Sequence, residues 1–261
     1  MRRARDLLAS LLICACLPAS AHAAQPARLH VSFTPERLGH GTTVNISVEI
    51  AAPANRAPPP LTAFDVTYPR DLGFDVSGLG LATCSQTSLE SFGPSACPPN
   101  SYIGRGSALA EIPVGPEIIR ETAEVTIVRA PKEGQIALLF YANGESPVSA
   151  PIVFPGLLVP GPGDNESIDI DVPLVPSLPE APDVALVRLH ATLGPQGLTY
   201  YEHIRHHLVP YRPQGILLPN KCPRGGFPFR ATLSFLDGSH THTDSTVPCP
   251  VHDNGKKVVE S

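Results

Sequence analysis

The sequence predicts an all-β protein made of antiparallel sheets, a β-sandwich or pair of sandwiches of Ig-like general architecture with long Pro/Gly-rich loops. Three observations carry this. Proline, at 31 of 261 residues, breaks helices and central strands, and so enforces short strands joined by stiff loops. Apolar and polar residues alternate with period two wherever proline is absent, the pattern of a strand with one buried face. Turn signals separate these runs at short spacing, with no helical run between them, which argues against a parallel α/β sheet.

Taken in chain order, the strand candidates are 44–50, 62–67, 101–112, 123–129, 135–142, 152–159, 168–172, 184–193, 215–218 and 227–235. Val44, Ile46, Val48 and Ile50 alternate with Asn45, Ser47 and Glu49. Ile168, Ile170 and Val172 alternate with Asp169 and Asp171, and Phe227, Phe229, Ala231, Leu233 and Phe235 form one continuous apolar face. The turns expected between strands are 132–134, Asn143-Gly144, 161–165, 194–197 and Asp237-Gly238. The stretch 112–119, which carries two prolines and a glycine, is the expected boundary between residues 24–112 and 113–252, two domains or two halves of one; 253–261 reads as a flexible tail.

The first 23 residues carry the three regions of a cleavable export signal. Arg2, Arg3 and Arg5 form a positive start, residues 7–17 an apolar stretch, and Ala21-His22-Ala23 a small-x-small site, so cleavage is expected after Ala23. The apolar stretch is far shorter than the roughly 20 residues of a spanning helix, so no transmembrane anchor is expected. The alternative is a degenerate lipoprotein box around Cys14 and Cys16, with Cys16 lipidated. Removal of the leader moves the formal net charge from −5 to about −7, without a basic run anywhere. This argues against nucleic acid and against an anionic membrane surface as partners. Hydrophobic content of 42% against 16% charged residues is enough to bury a core.

Four cysteines remain after cleavage: Cys84, Cys97, Cys222 and Cys249. An even set in an oxidising compartment reads as two disulfides, and of the three connectivities the sequence-local one, Cys84 with Cys97 and Cys222 with Cys249, is favoured. A four-thiolate zinc site is disfavoured, because zinc ligands come in closely spaced pairs.

The run from Cys84 through Cys97-Pro98-Pro99-Asn100-Ser101-Tyr102-Ile103-Gly104, with Cys222-Pro223-Arg224-Gly225-Gly226 and the terminal Pro248-Cys249-Pro250, resembles a group of uncharacterised secreted proteins of soil actinobacteria. The resemblance implies an exported β protein and supports the disulfide pairing. It brings no activity, cofactor or catalytic residue.

Chemistry is sparse. His203, His206 and His207 form one histidine cluster and His240 with His242 a second; on a strand the latter two would share a face, as an H-x-H metal element requires. The bland reading of both is exposed histidines in a loop-rich protein. Asp164, Asn165, Glu166, Asp169 and Asp171 could offer oxygen ligands to calcium, but Asp169 and Asp171 alternate with apolar residues and read as the solvated face of a strand. Nucleophile signatures and phosphate loops are missing, and the Asn45-Ile46-Ser47 sequon lies mid-strand. The residues therefore favour a non-enzymatic secreted or envelope-associated structural or binding module, without cofactor, whose partners would be cell-envelope polymers or other extracellular proteins. The alternative is a metal-dependent extracellular enzyme built on the histidines.

Overall fold

The computed structural model describes residues 25–52, 56–74, 77–146, 151–175 and 183–250. The export signal, its cleavage site after Ala23, Cys14, Cys16 and the expected tail at 253–261 lie outside the described residues. Among those residues no helix is long and apolar enough to cross a membrane.

The chain runs through β1 (Ala27–Thr34), β2 (Gly41–Ile50) and β3 (Leu61–Pro69), then a short helix α1 (Gln86–Phe92) and two 3-10 turns, Pro94–Ala96 and Pro99–Ser101. It continues with β4 (Tyr102–Val114), β5 (Glu117–Ala130), β6 (Ala137–Ser146), β7 (Pro151–Pro160), β8 (Asn165–Asp171) and β9 (Ala185–Leu193). The last part holds β10 (Tyr200–Ile204), β11 (His207–Tyr211), β12 (Ile216–Leu217), β13 (Phe227–Phe235) and β14 (His240–Val247). Every strand read from the sequence has a counterpart. β1, β10, β11, β14 and α1 were not expected.

All pairings are antiparallel, and twelve strands belong to one sheet in the order β1-β2-β9-β4-β5-β6-β7-β8-β3-β13-β14, with β12 attached to β2. An Ig-like sandwich has two stacked sheets; here one continuous sheet curls round into a nearly closed barrel. Its two ends meet at β1 and β14. Leu29 N–H donates to Thr243 Oγ1 at 3.1 Å, Val31 N–H donates to Ser245 Oγ at 3.2 Å, and Thr241 Oγ1 donates to the Gln25 carbonyl at 2.6 Å. Hydroxyls of β14 thus satisfy edge groups of β1 and of the segment just before it, which an open sheet would leave as a template for other chains.

Strands from the two sides of residue 112 alternate in this sheet. β9 lies between β2 and β4, and β3 lies between β8 and β13. Residues 112–119 form the tip of the β4–β5 hairpin, the longest in the barrel. Gly115, at φ 60°, and Pro116, with its fixed negative φ, supply the sign pair of a type II′ turn, which matches the twist of the flanking strands. The Asn143-Gly144 turn is a correction: both residues lie inside β6, where Gly144 pairs with Ala123.

The inward rows form the main core, from Leu29, Val31 and Phe33 on β1 round to the odd-numbered residues of β13. Phe33 packs edge-on against Phe227 and Phe229 across the seam, with centroids 5.3 and 6.1 Å apart. A small second core sits outside the wall, where Leu89 of α1, Cys84 and Cys97 cover the outward-facing Val128 and Leu139. The helix is short and local: Ser85 Oγ accepts from Ser88 N–H at 3.2 Å as its N-cap, and Gly93 at φ 72° ends it. The four cysteines pair as Cys84–Cys97 and Cys222–Cys249.

Candidate functional site

Eight strands fill a closed barrel with their own side chains; a circuit of eleven encloses more space than ordinary residues fill unless it collapses. In this barrel part of the inward row is unusually small. Ala108 and Ala110 on β4, Ala123 on β5, Ala142 and Gly144 on β6 and Ala191 on β9 all face the same space. Cross-strand register assembles them: Ala108 stands opposite Ala123, Val125 opposite Ala142, and Ala123 opposite Gly144. What remains is an apolar cavity of about 170 Å³. Phe64, Phe140 and Phe154 line it too, the last two stacked with centroids 5.4 Å apart.

Glu121 is the one polar side chain among the described lining residues. It sits on the inward row of β5 opposite Ala110, in series with Ala123, Val125 and Ile127. The residue is only 8% exposed, and its carboxyl has no hydrogen-bond partner among the described residues. Burial pushes its pKa above the ordinary 4.5, because removing a carboxylate from water disfavours the charged form. The sequence contains the signal that would have found it: the alternation Ile119, Glu121, Ala123, Val125, Ile127 extends the expected strand backwards and puts one acid on an apolar row.

A second, polar groove of about 430 Å³ lies on the outer wall. Its floor is a row of charges on neighbouring strands, with Glu49 and Arg188 3.5 Å apart and Glu111 and Arg120 3.1 Å apart. Glu111 is 4% exposed, and its Oε2 has no partner among the described residues.

The histidine clusters stay apart. His203 and His207 lie on β10 and β11, a two-stranded sheet separate from the barrel, and His206 occupies the turn between them at φ 70°. All three are exposed. His240 and His242 do share the outer face of β14, where their Nδ1 atoms hydrogen-bond Ser234 Oγ at 3.0 Å and Thr232 Oγ1 at 3.1 Å on β13. Among the described residues no three His, Cys, Asp or Glu side chains converge to hold a metal ion. The metal-enzyme alternative therefore has no cluster there to rest on. The acidic segment is likewise occupied: Glu166 accepts from Tyr68 at 3.1 Å, Asp169 accepts from Ser167 at 2.7 Å, and Asp169 and Asp171 are exposed.

The segment from Cys97 to Gly104 has structural work to do in this chain. Cys97 closes the α1 loop, Ser101 Oγ donates to the Pro98 carbonyl at 2.7 Å, and a Cβ at Gly104 would overlap the Thr192 carbonyl of β9. No protein-family model, curated protein or solved structure matches the chain.

Proposed function

We propose that the mature chain is a non-enzymatic, extracytoplasmic binding module that holds a small apolar ligand inside its barrel. The observation that carries this reading is the cavity of about 170 Å³, whose described lining is apolar except for Glu121. Binding sites for small molecules are concave, mostly apolar spaces with few polar groups, and this cavity has that character. Cores are otherwise packed to near-crystalline density, so a void formed by alanines and a glycine on four strands is a costly feature for a purely structural protein. Two disulfides, a leader-like N-terminus and the likeness to secreted actinobacterial proteins support placement outside the cytoplasm.

The test is titration calorimetry of the mature protein with 1-octanol, a neutral apolar probe. The reading expects saturable one-to-one binding with a negative heat-capacity change, abolished in Ala142→Leu, which fills the cavity. Absence of binding to wild-type protein with a native circular-dichroism spectrum overturns it.

A further inference from the structure

We infer that the cavity selects an amine: a molecule with a linear apolar body and one terminal ammonium group that pairs with Glu121. This rests on the reading of the barrel as an apolar-ligand binder and adds the chemical class of the ligand.

The size of the space limits the body. A cavity of about 150 Å³ lined by aliphatic and aromatic side chains takes up benzene, so one of about 170 Å³ accommodates roughly six to ten non-hydrogen atoms. Its shape favours a chain, because on β5 alone the lining runs from Glu121 to Ile127, about 20 Å at the rise of a strand. The polar and apolar ends are segregated along that length. Glu121 stands at one end, opposite Ala110, whereas Ile127 at the other end stands opposite Phe140, which in turn stands opposite Phe154.

Charge decides the head group. Among the described lining residues there is no cation, and Glu121 has no hydrogen-bond partner. The carboxyl at this position has given up part of its water and has no hydrogen-bond partner among the described residues, and the apolar surroundings strengthen its response to an incoming charge relative to open water. A fatty acid would set two like charges in one apolar space. An alcohol would offer a single hydrogen bond. An alkylammonium supplies the counter-charge and three N–H donors, and part of the desolvation of the carboxylate has already been borne in folding.

The experiment compares three probes of equal chain length, octylamine, 1-octanol and octanoate, at pH 7.5 by calorimetry on the mature protein. Octylamine is expected to bind about tenfold more tightly than 1-octanol, and octanoate about tenfold more weakly, the scale of one charge-assisted contact. In Glu121→Gln the amine should fall to the affinity of the alcohol while alcohol binding is retained, which also reports that the variant is folded. If 1-octanol binds wild-type protein and octylamine binds no more tightly, the amine inference is overturned while the apolar-binding reading stands. If none of the three binds, that reading itself fails. The wild-type comparison decides the matter even if Glu121→Gln does not fold.

Discussion

The Tyr200 hydroxyl donates to the Tyr102 carbonyl at 2.6 Å and accepts from the Gly80 N–H at the same distance. Tyr200 is fully buried, and its ring packs edge-on against Tyr211, so one side chain ties the base of the β10–β11 hairpin to the start of β4 and to the loop before α1. Tyr200→Phe keeps the ring and leaves a buried donor and acceptor without their partner. The expected cost is about 2 kcal/mol, read as a lower urea midpoint with an unchanged slope. An unchanged midpoint would mean that other groups satisfy Gly80 and Tyr102.

Glu121 makes stability depend on pH in an unusual direction. Burial raises its pKa, so the folded state holds the proton more tightly than the unfolded chain, and the resulting stabilisation is complete below the ordinary value of 4.5 and lost as pH rises through the folded value. Glu121→Gln removes that dependence. The variant should therefore be more stable than wild type at pH 7 and indistinguishable from it near pH 4, measured by thermal unfolding across that range.

Asp65 stands directly opposite Asp169 on the outer face of the β3–β8 pair, with Asp171 one step along the same row. Its pKa is raised by desolvation first, and then by the two neighbouring carboxylates. Asp65→Asn should raise stability at pH 7 by a few tenths of a kcal/mol, about the scale of a cross-strand pair. The gain should shrink between low salt and 1 M salt, since exposed charges are screened. A gain independent of salt would assign the effect to burial alone.

The disulfides close loops separated by 13 and 27 residues. On the chain-entropy model, replacing each pair by alanine costs about 3 to 3.5 kcal/mol. The Cys84–Cys97 pair has a local readout as well, because Cys84 and Cys97 belong to the small core around Leu89. Its removal should expose the amides of α1 to hydrogen exchange while those of β13 stay protected. Loss of protection throughout the barrel would show that the loop and barrel unfold as one unit.

Strands with one face in the core and one in water were legible, because that placement writes period two into β2, β8 and β13. β14 was not. Its inward row is Thr241, Thr243 and Ser245, hydroxyls that serve the seam with β1, so it lacks the apolar alternation that marks a strand. Helix α1 escaped notice because seven residues held by a serine cap and a disulfide leave little periodicity to read. Asn143-Gly144 read as a turn from its residue types, although in the barrel Gly144 serves as a strand position with no side chain to fill the cavity.

By itself the sequence determined what local chemistry specifies: the all-β class, most strands, the disulfide partners, and a leader-like N-terminus. Only the tertiary structure decided that the strands curl into one nearly closed barrel, that β9 separates β2 from β4, and that Ala108, Ala110, Ala123, Ala142, Gly144 and Ala191 surround one space with Glu121 at its edge. The physical reason is register. A shift of one residue in any of these ladders would turn the small residues and the acid to the outer face, and the register is set by long-range pairing between strands that no local pattern records.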